Sequence, residues 1–147
     1  MKYEVDQSVK VEQTNRNTII AIANDKYAYT LKIDSKIKQS IQKYFNKIKK
    51  PKMFAVYLFT AGLIVLIKKS KIQNSVAIID LEYYGYNKII ENELNKNINQ
   101  KLEFRFSRIG KKSPAHNLAY LTFKRRIKPN YIINKSELEK IVLKMIR

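Results

Sequence analysis

Val76-Ala77-Ile78-Ile79-Asp80-Leu81-Glu82 is an apolar run that ends in two carboxylates. Rich in β-branched residues and bounded by Tyr83-Tyr84-Gly85, it reads as a buried strand from Ser75 to Glu82. A strand of this kind holds its terminal acid rigidly while the loop beyond it admits other molecules, which is where α/β proteins place chemistry. Two more groups of the same character lie elsewhere in the chain. Asp6 sits inside the β-like segment Tyr3 to Val11, and His116, the only histidine, opens a helix after Gly110-Lys111-Lys112-Ser113-Pro114.

Upstream of the run, Thr18 to Ala23 and Tyr27 to Ile33 flank the short turn Asn24-Asp25-Lys26, and Asn15-Arg16-Asn17 supplies an earlier turn. Tyr3 to Val11 and these two strands form an antiparallel meander. Asp34 or Ser35 then caps a helix in which Ile37, Ile41, Tyr44 or Phe45, and Ile48 recur at three and four, with lysines on the opposite face. Pro51 ends it. Met53 to Ile67 follows, apolar except for Thr60 and flanked by lysines. Its fifteen residues make about 22 Å of helix against a hydrocarbon core of roughly 30 Å, so a helix buried on the sheet is expected rather than membrane insertion.

Downstream, Asn87 is the expected cap of a helix with Ile89, Ile90 and Leu94 inward. Lys101 to Arg108 alternates, with Leu102, Phe104 and Phe106 on one face of a strand. Ser113 and Pro114 start a helix running to about Arg126, and Ser136 with Glu139 forms a capping box for the last helix. Crossovers around the later strands make those strands parallel. The expectation is an α/β protein with a mixed five-stranded sheet, in one domain spanning residues 1–147.

Composition narrows the chemistry. Lys and Arg outnumber Asp and Glu by 30 to 12, a formal charge of +18, so the surface attracts polyanions, and nucleic acid is the expected partner. The chain has no cysteine, which removes disulfides, thiolate zinc sites and cysteine nucleophiles together. A metal would be held by oxygen and one nitrogen, a set suited to Mg²⁺ or Mn²⁺. Met1-Lys2-Tyr3-Glu4 has no apolar signal core, and a cytoplasmic location is the default expectation. Gly110-Lys111-Lys112-Ser113 lacks the upstream glycine spacing of a phosphate-binding loop, and one histidine without a serine elbow excludes the usual nucleophilic triads.

The order of three antiparallel strands, helix, strand, helix, strand, helix resembles the ribonuclease H-like superfamily, in pattern most similar to RuvC-type resolvases. Glu4-Val5-Asp6-Gln7-Ser8 resembles the first strand of that family with its acid, and Ile78-Ile79-Asp80-Leu81-Glu82 resembles the fourth. Ala115-His116-Asn117-Leu118-Ala119 is similar to the Ala-Asp-Ala-Leu-Ala pattern of the last helix, with His116 at the acid's position. Met53 to Ile67 lacks the Glu of the ribonuclease H subgroup proper. The resemblance implies a divalent-metal-dependent nuclease, with Asp6 and Asp80 as metal ligands, Glu82 as an additional ligand or a catalytic group supporting them, His116 as a metal ligand or proton shuttle, and DNA favoured over RNA.

Two divalent ions bridged by carboxylates can activate water and stabilise a leaving oxygen, so this donor set suits phosphodiester hydrolysis on chemical grounds as well. Arg108, Lys111, Lys112, Lys124, Arg125 and Arg126 bracket the histidine helix as phosphate contacts, and Tyr83 and Tyr84 stand where an unpaired base can stack. A homodimer, formed through the exposed face of the apolar helix, would suit a resolvase cutting two symmetric strands. Two other readings stay open: a non-catalytic nucleic-acid or ribonucleoprotein binding protein of the same fold, and a peripheral protein on anionic lipid.

Overall fold

A computed structural model describes residues 1–146. Three strands, β1 (Lys2–Ser8), β2 (Thr18–Ala23) and β3 (Ala28–Ile33), form the antiparallel meander, with pairs such as Asp6↔Ala21 and Ala21↔Thr30. The β2–β3 turn is held by Asn24, whose Oδ1 accepts from the backbone N–H groups of Lys26 and Tyr27 at 2.9 and 2.8 Å. Helix α1 (Ser35–Lys47), a single 3-10 turn (Pro51–Met53) and α2 (Phe54–Ser70) lead into β4 (Ser75–Asp80). Helix α3 (Asn87–Asn97), β5 (Leu102–Ser107), α4 (Pro114–Phe123), β6 (Tyr131–Ile132) and α5 (Lys135–Ile146) complete the chain.

The sheet order is β5-β4-β1-β2-β3-β6, with β4 parallel to both β1 and β5. The protein is therefore α/β with a mixed sheet of six strands rather than five. The sixth is two residues long and lies parallel to β3, where Asn130 anchors it: its Oδ1 accepts from the Thr30 N–H at 2.8 Å. It covers an edge that β3 would otherwise leave open. Two residues carry no periodicity, which is why the pattern did not reveal it.

Helix α2 is the centre of the main core. Every residue from Leu58 to Ile67 is buried, against Ile20, Ile22, Leu31 and Ile33 of the sheet and against α3 and α5. At Gly62 the approach is so close that a Cβ would meet Ile20 Cδ1 at 2.7 Å. Thr60, the polar exception, is satisfied by donating to the Val56 carbonyl at 2.7 Å. The stretch Pro51–Ser70 is long and apolar enough to cross a membrane, yet most of it is inside the protein. It has no exposed apolar face through its middle turns, so it does not supply the dimer contact expected of it. On the other side of the sheet α4 lies over β1 and β2, and Ala119 packs on Ile19 and Ala21. Strand β2, covered on both faces, is buried at every residue.

Several boundaries differ from the sequence reading. β1 stops at Ser8, because Val9 turns into the left-handed region (φ 65°) and its carbonyl accepts from Thr18 Oγ1. Asp34 is the α1 cap position but makes no side-chain cap bond, pairing with Lys32 instead. Lys38 is not on a solvated face: it is fully buried, and Nζ donates to the Gln13 carbonyl at 2.8 Å and to Thr18 Oγ1 at 2.7 Å. Asn87 is the first helical residue of α3, and Ile89 points outward while Ile90 and Leu94 point in. Helix α4 ends at Phe123, with Arg125 left-handed (φ 62°) just beyond. The last helix is capped by Asn134, whose Oδ1 accepts from the Glu137 N–H at 2.8 Å, in place of a Ser136–Glu139 box. The Ser113 cap of α4 forms as expected, accepting from the Ala115 N–H, with Pro114 in the first turn.

Candidate metal centre

In β1, side chains alternate between the two helical layers: Tyr3 and Val5 enter the α2 core, while Glu4 and Asp6 face α4. Parallel pairing of β1 and β4 ends at Val5↔Ile79, so Asp6 and Asp80 each stand one residue past the same rung. Asp80 is the last residue of β4, and Glu82 lies beyond the strand rather than in it. The chain turns there so that carboxylate oxygens of Asp6, Asp80 and Glu82 all come within 4.8 Å of one another. This cluster can hold a metal ion.

Each acid has a protein partner, a fixed backbone N–H for Asp6 and Asp80 and a lysine side chain for Glu82. Asp6 Oδ1 accepts from the Gln7 N–H at 2.8 Å, and Oδ2 lies 2.8 Å from His116 Nδ1. With Asp6 ionised, the imidazole Nδ1–H is the donor. Asp80 Oδ1 accepts from the Ile109 N–H at 2.8 Å, which ties β4 to the loop after β5. Glu82 is paired with Lys10 at 3.3 Å. Ser113 Oγ donates to Glu4 Oε1 at 2.8 Å, so the loop before α4, and with it His116, is pinned to β1.

Burial raises the Asp6 carboxyl above the usual carboxylate range, and Asp80 adds to this; the hydrogen bonds from His116 and Gln7 oppose it. Burial also raises Glu82, as does the adjacent Asp80, with Lys10 opposing. Two carboxyls are thus held above their ordinary values, chiefly by burial and to a smaller degree by the neighbouring Asp80. Three carboxylates form an all-oxygen donor set, which fits a hard divalent cation. The three acids of the sequence reading, Asp6, Asp80 and Glu82, converge, and His116 lies against Asp6 without belonging to that trio.

The remaining candidates fall in two groups. Arg108, Lys111, Lys112, Lys124, Arg125 and Arg126 are all exposed, and Lys124 Nζ lies 5.7 Å from the Tyr120 ring centroid. Tyr84 is 60% exposed, and its hydroxyl accepts from Arg108 at 3.0 Å. Tyr83 turns inward: its ring packs on Phe59 with centroids 5.1 Å apart, and its hydroxyl accepts from Gln7 Nε2 and donates to Glu12 at 2.9 Å. Burial raises the Tyr83 phenol well above its ordinary value. Lys10, Gln7 and Glu4 were not singled out from the sequence. Glu4 alone carried a signal, its two-residue spacing from Asp6, which puts both on one face. Comparison of the chain with protein-family models, with curated proteins and with solved structures found no match.

Proposed function

We propose that this protein is a divalent-metal-dependent nuclease of ribonuclease H-like fold that hydrolyses phosphodiester bonds of nucleic acid, with Mg²⁺ or Mn²⁺ held by Asp6, Asp80 and Glu82. The observation that carries the proposal is the convergence of these three carboxylates just past the last rung between the parallel strands β1 and β4, on a chain of charge +18. The first five strands support the fold assignment: β1 to β3 run as a meander, and β4 and β5 add in parallel on the far side of β1.

The chain's own residues have distinct tasks under this reading. Asp6 and Asp80 are rigid, each fixed by a backbone N–H. Glu82, on a loop and paired with Lys10, is the ligand free to adjust. His116 orients Asp6 through Nδ1, and the half-exposed ring can pass a proton at Nε2. Bound divalent metal supplies Lewis acidity toward the phosphoryl oxygens and lowers the pKa of water. Arg108, Lys111 and Lys112 hold phosphates beside the acids. A Holliday-junction resolvase is the finer form of the proposal.

A second reading, a nucleic-acid binding protein of the same fold without catalysis, is favoured by one observation. Asp6 has both oxygens engaged and Glu82 is neutralised by Lys10, so the acids already have protein partners. Labelled duplex, RNA–DNA hybrid, single-stranded and four-way-junction substrates separate the two readings. Cleavage that needs Mg²⁺ or Mn²⁺ and is lost in Asp80→Asn supports the nuclease; binding without cleavage, the same in both proteins, supports the binder.

A further inference from the structure

An open cleft of about 590 Å³ lies on the α4 side of the sheet, away from the acids, and Arg16, Lys32, Phe123, Arg125 and Lys128 line it with no carboxylate among the lining residues. Lys32 is partly neutralised by Asp34 at 3.7 Å, but among the described residues Arg16, Arg125 and Lys128 have no acidic partner. The cleft does not stand alone. Arg16 and Phe123 also line a second depression, of about 440 Å³, which reaches Gln7, Lys10 and Glu82. Glu82 belongs to the acid cluster, so the two depressions, which adjoin at Arg16 and Phe123, together make a trough extending from Glu82 toward Lys128.

Its walls combine cations with aromatic faces. The Arg16 guanidinium lies 5.7 Å from the Phe123 ring centroid, and Tyr120, half exposed, lies under Lys124. Flat rings alternating with unpaired cations in a concave channel are the means by which proteins hold single-stranded polynucleotide, through stacking on bases and contact with phosphates. A duplex presents its bases already stacked and has no use for the rings.

We infer that this trough is a binding site for a single-stranded segment of nucleic acid, leading from the acid cluster past Arg16 and Phe123 to Arg125 and Lys128. The inference takes its ligand class from the proposed function but does not depend on cleavage. None of Arg16, Tyr120, Phe123 or Lys128 was a candidate in the sequence reading, because they come from two separate loops and one helix face.

Fluorescence anisotropy in EDTA tests it, with labelled single-stranded DNA and RNA of about 15 nucleotides and a blunt duplex of equal length. Arg16→Ala/Lys128→Ala is compared with Lys43→Ala/Lys47→Ala, an equal loss of charge from exposed positions on α1. The cleft variant is expected to weaken single-strand binding about tenfold and to lower the salt slope by about 1.4, leaving the duplex within twofold. Tyr120→Ala is expected to weaken single-strand binding with an unchanged slope. Equal loss in both double variants, equal loss for duplex and single strand, or no loss at all overturns the inference. So does loss of binding to anionic lipid vesicles with oligonucleotide binding intact. Thermal melts of each variant verify the fold. Single-strand binding without metal-dependent cleavage sinks the nuclease alone, and cleavage with unaffected cleft variants sinks the cleft alone.

Discussion

Replacing Asp80 with asparagine is expected to make the metal-free protein more stable while removing its response to divalent metal. The three carboxylate oxygens lie within 4.8 Å of one another. At that distance and an effective dielectric of about 20, two unit charges repel by about 3.5 kcal/mol. Asp80 takes part in two such pairs. The real relief is smaller, because burial, and to a lesser degree Asp80, already makes Asp6 and Glu82 hold protons more tightly, and because Lys10 and solvent screen Glu82. A gain of about 1–2 kcal/mol at pH 7 remains, or roughly 2–6 °C in Tm for a chain of this size. The asparagine Oδ1 can still accept from the Ile109 N–H, so the β4 end stays anchored.

The effect has a pH signature. An acid whose folded pKa is raised contributes stability that is complete below its unfolded pKa and is lost as pH rises through the folded one. Asp6 and Glu82 therefore weigh on the wild type most at neutral pH, and the advantage of Asp80→Asn closes as pH falls toward about 4. On the proposed metal site, divalent metal is expected to act in the opposite sense: at ten times Kd it would stabilise the wild type by about 1.4 kcal/mol and leave the variant unmoved. Calorimetry of both proteins in EDTA, Mg²⁺ and Mn²⁺ at several pH values reads all of this. A variant that melts below wild type in EDTA and responds to metal as wild type does would refute the crowded-carboxylate account.

Burial lowers the Lys38 ammonium pKa to about 8, a penalty present in full below that pH and absent above its unfolded value. Relative to Lys38→Met, wild type is thus expected to gain about 2 kcal/mol between pH 7 and pH 10 in urea unfolding, and a constant difference would contradict it. Gly62→Ala puts a methyl 2.7 Å from Ile20 Cδ1 in a fully buried contact; overpacking of about 1–3 kcal/mol exceeds the roughly 1 kcal/mol gained in helix propensity, so the midpoint in urea should fall. Ser113→Ala removes both the α4 cap and the bond to Glu4, and should lower stability by about 1–2 kcal/mol while loosening protection of the α4 amides in hydrogen exchange. Unchanged exchange there would mean that the loop is pinned by something else.

Elements with a long period were legible before any coordinates. The three strands of the meander with the Asn24-Asp25-Lys26 turn, the apolar blocks of α2 and β4, and the Ser113-Pro114 start of α4 all appear near their expected places. Pattern reading failed where one or two residues decide the outcome. Val9 ends β1 early by entering the left-handed region, Asn134 displaces Ser136 as a cap, and β6 is only two residues long. It failed again at Lys38, because a lysine on a helix is exposed unless another segment folds over it, and the loop carrying Gln13 does so.

The sequence by itself determined the class of the fold, the excess of positive charge and the identity of the acids, since these follow from composition and from periods of two and 3.6 that any local window displays. Which acids meet was decided only by the tertiary structure. Asp6 and Asp80 are 74 positions apart, and they become neighbours because β1 and β4 pair in parallel with Val5 opposite Ile79. A register shifted by one residue would turn one of them to the other face of the sheet. Glu82 joins them, and His116 is held on Asp6, through loop and helix positions that depend on long-range contacts such as Ser113 with Glu4. Register and loop path are set by packing between distant segments, and no local pattern encodes them.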